Sequence, residues 1–288
     1  MPEFLTVKEL AELLRIKERK VYDLAASGSV PVSRVTGKLL FPENEIRAWI
    51  AGESTRPEPD RTPRPPVFLG SHDPLLEWAL RQARPGLATL FDGSGTGLAR
   101  FARGDGSATG LHIPGADGDW NIAAVEDAAA GCDAVLISFA RRRRGLILRP
   151  DMAGRVTSLA HLKDLWIAPR PSGTGTDTLF RQTVEEAGLA HDALLFTGVA
   201  QSEEDAVFAV KHEEADTAFG LEALAATHGL TFLPIAEERF DILVDRRAAF
   251  EPPLQALFAV MRSEPFRAHA AQLAGYDVTG AGEVRWNA

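Results

Sequence analysis

Apolar residues recur at two different periods along this chain, and the change of period divides it. Val7, Leu10, Ala11 and Leu14 fall at helical spacing and predict an amphipathic helix over 7–14. Thr6 precedes that helix and Glu9 follows three residues later, the pattern of a capping box. A short turn at Arg15–Ile16 leads to a second helix over 17–26, with Val21, Leu24 and Ala25 facing inward. Ser33 to Phe41 (SRVTGKLLF) predicts a two-stranded wing turning at Thr36-Gly37, followed by a third helix carrying Ile46, Ala48, Trp49 and Ile50.

Beyond Val67 the pattern becomes short apolar runs alternating with helical ones. VFLG precedes PLLEWALRQA, LATLF precedes GLARFARG, LWIAP precedes DTLFRQTVEEAGL, and TAFG precedes LEALAATHG; AVLISFA, TFLPI and FDILVD add further separate strands. Strands alternating with helices predict an α/β domain with largely parallel sheets. Between the two patterns, Gly52 to Pro66 holds five prolines and no apolar cluster, which reads as a semi-rigid linker. The organisation expected is a mainly α unit over 1–51, a linker over 52–66 and an α/β unit over 67–288.

Composition narrows the function classes. The 288 residues, 45% of them hydrophobic, suffice for two domains with sizeable cores. No apolar stretch is long enough to span a bilayer, and the N-terminus lacks the basic-then-apolar pattern of a secretory signal. With Cys132 the single cysteine, neither a disulfide framework nor a multi-thiolate metal site is available. A cytoplasmic protein without membrane partners is expected. The net charge of −9 looks unsuited to nucleic acid, yet it is unevenly spread. Residues 1–52 carry eight Lys/Arg against seven Asp/Glu, whereas the remainder carries 23 against 33. The first unit can attract phosphate only if its cations share one face.

The positions of those cations favour such a face. Lys17, Arg19, Lys20 and Tyr22 lie near the start of the second helix, where a helix entering the major groove makes its contacts. Arg34 and Lys38 flank the wing turn at Thr36. The turn Ser27-Gly28-Ser29-Val30-Pro31 and the run Pro42, Glu45, Ile46, Ala48, Trp49, Ile50 complete a pattern that resembles the winged helix-turn-helix of the excisionase and MerR-like families. The resemblance covers nearly all of 4–51 and implies binding to double-stranded DNA. Many relatives open the second helix with small hydroxyl residues, where this chain has Lys17-Glu18-Arg19-Lys20, so the base contacts do not carry over.

In the second unit three segments share one design, a strand end, a small polar turn and a helix start. They are Ser71-His72-Asp73-Pro74, Ser94-Gly95-Thr96-Gly97 and Pro171-Ser172-Gly173-Thr174-Gly175-Thr176. Free N–H groups at a helix start, with Ser or Thr hydroxyls beside them, hold an oxyanion without a full positive charge. Strand C-terminal ends are also where open α/β sheets bind ligands. The third segment lacks the G-x-x-x-x-G-K-[ST] pattern, which argues against nucleotide hydrolysis. His112, after an apolar run, reads as a structural histidine, Glu222 as a cap or orienting group, and Arg141–Arg144 as a solvated charged edge.

From Leu69 to Arg246 the chain resembles the periplasmic-binding-protein-like domains attached to bacterial helix-turn-helix regulators, which are similar to molybdate- and tungstate-binding proteins. The matching text includes GSHDPLL, GSGTGLARFARGDGSATGLHI, Trp120-Asn121, RRRRGLILRP, RPSGTGTDTLF and FLPIAEERFDILVDR. The resemblance implies a two-lobed, type II α/β domain closing on its ligand, with lobe I about 67–140 and 240–288 and lobe II about 141–239. It implies oxyanion contacts at Ser71, His72, Ser94, Gly95, Thr96, Ser172, Gly173, Thr174 and Thr176. Thr96 and Pro171 depart from the family pattern and bear on ligand choice. The expected function is a homodimeric, ligand-responsive transcriptional regulator sensing molybdate or tungstate, with no cofactor and no metal site of its own. A small organic anion is the alternative ligand, since hydroxyls and amides suit both. An enzyme is not expected: Ser71-His72-Asp73 are adjacent and cannot form a triad.

Overall fold

The computed structural model describes residues 4–33, 37–54, 63–115 and 118–288, which form two compact units, Met1–Thr62 and Pro63–Ala288. The first unit contains β1 (Phe4–Leu5), α1 (Val7–Leu14), α2 (Glu18–Ala26), β2 (Phe41–Pro42) and α3 (Glu43–Ser54). The capping box forms as the spacing predicts: the Glu9 N–H donates to Thr6 Oγ1 at 3.4 Å and the Thr6 N–H to Glu9 Oε2 at 2.8 Å. Arg15, left-handed at φ 54°, ends α1 and turns the chain toward α2. Leu10, Val21, Phe41 and Ile46 have no solvent exposure and bring the three helices and β2 onto one core. β1 pairs antiparallel with β2, and Ser33 bridges Leu40 at the base of the expected wing. Arg34 and Thr36 lie outside the described residues. α3 runs to Ser54, three residues beyond the boundary drawn from sequence.

The second unit opens with β3 (Val67–Gly70), α4 (Pro74–Ala83), β4 (Ala88–Leu90), α5 (Ser94–Ala102), β5 (Ala108–Leu111) and α6 (Ile122–Ala128). A long strand, β6 (Ala134–Leu148), then leads to β7 (Trp166–Ala168), α7 (Gly175–Glu186), β8 (Leu195–Phe196), α8 (Glu203–Lys211), β9 (Thr217–Leu221) and α9 (Glu222–Thr227). The second long strand, β10 (Thr231–Asp245), returns the chain to α10 (Pro252–Met261), α11 (Glu264–Ala270), β11 (Tyr276–Asp277) and β12 (Val284–Asn287). All ten strands join one sheet in the order β4-β3-β5-β10-β6-β9-β7-β8, with β11 and β12 also on β6. Among the described residues no helix is long and apolar enough to cross a membrane.

The sheet is mixed rather than largely parallel. Its two ends are parallel (β4-β3-β5 and β8-β7-β9), but β6 and β10 run antiparallel through the middle for 15 residues each. AVLISFA is therefore only the first half of β6, and TFLPI and FDILVD belong to one strand. Charges interrupt each apolar run, because both strands cross the polar centre of the unit. Pro234 sits where the β10 register shifts, a position at which the missing N–H is tolerated.

Apolar clusters lie toward both ends of this sheet. One end packs Phe68, Phe139, Phe240 and Phe266 under α4, α10 and α11, and Leu98 and Phe101 of α5 against Leu111 and Leu243. The other packs Leu146, Ile167, Phe180 and Phe219 around α7. Trp120, from the loop after β5, belongs to this second cluster although its chain neighbours pack in the first.

Candidate functional site

The three polar turns converge. The Gly93 N–H donates to the Gly70 carbonyl at 3.0 Å, which holds the start of α5 against the end of β3. Ser71 Oγ and Ser94 Oγ lie 2.8 Å apart, and the His112 N–H donates to Ser94 Oγ at 3.0 Å. The Ser pair has two hydroxyl protons and uses one internally, so one remains for an outside acceptor. A methyl group placed on Gly175 would lie 2.6 Å from His112 Cε1, so the start of α7 rests directly on that ring. The starts of α5 and α7 thus flank His112, each heading a helix whose first amides have no intrahelical acceptor.

Beneath them runs a buried ionic chain. Arg142 Nη1 donates to Asp73 Oδ2 at 2.6 Å and also pairs with Glu238; Arg144 joins Glu238 at 2.6 Å and Glu203 at 2.8 Å. His112 Nδ1 lies 3.1 Å from Glu238 Oε2, Thr176 Oγ1 donates to Glu203 Oε1 at 2.5 Å, and the Tyr276 hydroxyl donates to Asp73 at 2.5 Å. Arg142, Arg144, Glu238 and Asp73 are almost solvent-free. Burial alone would push Glu238 up, but Arg142 and Arg144 together hold its carboxyl well below the usual range. Glu203 is also held low, by Arg144 and Arg170 against its own burial. Burial drives the His112 imidazole down, against the opposing pull of Glu238, so it is neutral at pH 7.

Arg141–Arg144 is therefore only half a solvated edge. Arg142 and Arg144 are buried at 0% and 1% exposure, whereas Arg141 and Arg143 face outward, because a strand alternates its side chains. Arg143 pairs with Glu222 at 2.7 Å. With two guanidiniums set against Asp73, Glu203 and Glu238, the chain has no surplus positive charge. An anion here must be held by hydroxyls and helix-start amides.

The nine residues expected to contact an oxyanion take different positions. Ser71 and Ser94 are buried and bonded to each other, and Gly95 and Thr96 are exposed at the start of α5. Thr176 is buried, its hydroxyl proton taken by Glu203, which leaves its N–H as the group it can offer. Thr174 caps α7 and donates its hydroxyl to the Pro171 carbonyl at 2.9 Å; Gly173, at φ +82°, donates its N–H to Asp177. Ser172 is exposed and lines a cavity beside α7. His72 is engaged elsewhere, 3.0 Å from Glu77 and edge-on to Phe91.

Glu203, Glu238, Asp73 and Tyr276 escaped the sequence reading. For Glu238 the signal was charge within an otherwise apolar strand, opposite the alternating Arg142 and Arg144; Glu203, Asp73 and Tyr276 lie outside β6 and β10 and had no such signal. In the first unit, Lys17, Arg19, Lys20, Tyr22 and Lys38 are all exposed, and the four cations make no ion pair among the described residues.

Comparison with known proteins identifies the two domains. The model of the PBP superfamily domain matches residues 78–262, and a helix-turn-helix domain model matches residues 4–54. The chain belongs to the PBP superfamily. Among proteins similar to this superfamily member is YvgK of Bacillus subtilis (strain 168), an uncharacterized protein 23% identical over 97% of this chain and 96% of its own. Solved structures with a similar fold include one from Clostridium perfringens, described as a phosphate ABC transporter substrate-binding protein with bound phosphate. It has a TM-score of 0.54 and 13% identity, covering 74% of this chain and 98% of its own. The regulatory domain of CcmR from Synechocystis PCC6803, in complex with 2-PG, has a TM-score of 0.51 and 13% identity, covering 69% and 97%. At such identities the likeness shows the fold alone. A helix-turn-helix domain and a PBP-superfamily domain in one chain fit a ligand-binding transcriptional regulator.

Proposed function

We propose that the protein is a transcriptional regulator that binds double-stranded DNA through its first unit and senses an oxyanion, molybdate or tungstate, in its second. The observation that carries this reading is the meeting of the α5 and α7 starts on His112, in a chain that also holds a helix-turn-helix domain. The Ser71/Ser94 pair and the amides of Ser94, Gly95, Thr96, Gly175 and Thr176 supply donors to the anion. The two ends of the sheet act as two lobes of a type II binding fold, closing on the ligand about β6 and β10. Two copies pair, because one weakly basic module offers little specific affinity whereas a dimer reads two half-sites. The protein works in the cytoplasm, without a cofactor and without catalysing a reaction.

The ligand changes DNA affinity only by the difference in its own affinity for the two states. The test is fluorescence anisotropy with duplexes tiling the DNA upstream of the coding sequence, with and without molybdate, tungstate or phosphate. Binding to one duplex that changes with molybdate or tungstate supports the reading. Absence of duplex binding, or binding indifferent to every anion, overturns it.

A further inference from the structure

Beside α7 lies a cavity of about 270 Å³ bounded by β7, β8, β9 and one side of that helix. Thr176, Asp177, Phe180 and Arg181 line it at i, i+1, i+4 and i+5, so it runs along the flank of α7 from the Arg170–Ser172 segment that precedes the helix. All of its lining residues fall between Ile167 and Phe219, and neither Ser71 nor Ser94 is among them.

Its walls are aromatic. Phe180 and Phe219 lie 5.4 Å apart between ring centroids, and His191 stacks on Phe196 at 4.8 Å. Its polar groups gather around two guanidiniums. Arg181 pairs with Asp177 at 3.0 Å and approaches His191 at 3.4 Å. Arg170 forms no ion pair among the described residues. It donates one hydrogen bond, to the Ala200 carbonyl at 2.5 Å, and its buried Nε has no partner. Burial holds this guanidinium below the usual arginine range. Its carboxylate neighbours Glu203 and Asp205 act on it only through space, so the Nε still lacks an acceptor, and a carboxylate in the cavity would supply one.

Arg181 is paired with Asp177 and Arg170 lies in the field of Glu203 and Asp205, so what remains unfilled is one donor, the Arg170 Nε, which a single carboxylate can satisfy. The volume is close to the lower limit of small-molecule sites, about 300 Å³. A tetrahedral oxyanion, taken as four oxygens of about 30 Å³ each, would fill less than half of it. We infer that this cavity is a second binding site, for an organic monoanion whose carboxylate meets Arg170 and whose flat apolar body lies among Phe180, His191, Phe196 and Phe219. Ser172 at its edge adds a hydroxyl donor, whereas the Thr197 hydroxyl donates to the Ile167 carbonyl at 3.3 Å, and Val199, 52% exposed, stands beside them. The cavity shares Thr176 and Ser172 with the residues of the oxyanion reading, but neither serine of the Ser71/Ser94 pair.

Isothermal titration of the full chain with benzoate, phenylacetate and hexanoate at up to millimolar concentration tests it. Saturable heat with benzoate or phenylacetate, weaker with hexanoate, is expected. Losing one charge-assisted contact should cost about tenfold to a hundredfold in affinity in Arg170→Gln, with part of it restored in Arg170→Lys. Val199→Trp changes an exposed residue and should block the cavity with the protein still folded, as melting temperature would show. Saturating molybdate should not displace benzoate. No heat from any of the three acids, unchanged affinity in Arg170→Gln and Val199→Trp, or competition by molybdate would overturn the proposal. None of these outcomes bears on whether the chain binds DNA.

Discussion

At the residue scale the buried carboxylates carry the clearest consequences. Glu238, shielded from solvent, accepts a hydrogen bond from Arg144 and is ion-paired with Arg142, so Glu238→Gln leaves Arg142 and Arg144 short of a counter-charge. Breaking a buried pair from one side costs about 3–5 kcal/mol, and urea denaturation should show a loss of that size for the second unit. The same groups set a pH dependence. His112 has a folded-state pKa below its ordinary 6.5, so its contribution to stability is full above that value and is lost as pH falls below it. Glu238 and Glu203, held below 4.5, add a second loss as pH falls further toward their lowered pKa values. Melting temperature should therefore decline in two stages on acidification, and His112→Asn should remove the first. Little of this was legible in the sequence. Arg141–Arg144 looks uniformly solvated until the strand period is known to continue through it, and Glu238 pairs with residues about a hundred positions away.

At the scale of elements, glycines at close approaches decide whether the turns can meet. A Cβ on Gly97 would lie 2.2 Å from the Gly70 Cα, backbone against backbone, whereas one on Gly95 meets nothing within 4 Å. Gly97→Ala should push α5 off β3, cost about 1–3 kcal/mol and weaken anion binding; Gly95→Ala should leave stability near wild type. Paired thermal melts and anion titrations separate the two. In the first unit Thr6→Ala removes the capping box and should cost about 1 kcal/mol of helix stability, measurable by circular dichroism. Elements of this kind were the most readable part of the chain. The bounds of α1 follow from four apolar positions and a cap, and the first and third polar turns do lead from a strand into a helix, whereas Ser94–Gly97 is already the first turn of α5. The length of β6 and β10 was not readable, because buried charge in mid-strand has the same appearance in sequence as a loop.

For the whole molecule, the charge balance bears on DNA binding. Lys17, Arg19, Lys20, Arg34 and Lys38 could neutralise five phosphates, giving a slope of log K against log salt of about −4 to −5 for one module and about twice that for a pair. Anisotropy across a salt series, together with sedimentation, tells these apart. The division into two units was visible as a shift in apolar period and a run of prolines. The convergence of Ser71, Ser94 and Gly175 was not, since it depends on strand order, which no local pattern encodes.

The burial of alternate arginines in β6 has a further consequence. Four consecutive arginines would ordinarily be the most trypsin-sensitive stretch in a chain. Here β6 is hydrogen-bonded on both sides, to β10 and β9 and to β11 and β12, and cannot be drawn out into a protease cleft while the sheet is intact. Scission between residues 141 and 144 would then mark opening of the central sheet itself, so the run acts as an internal gauge of how often that sheet comes apart.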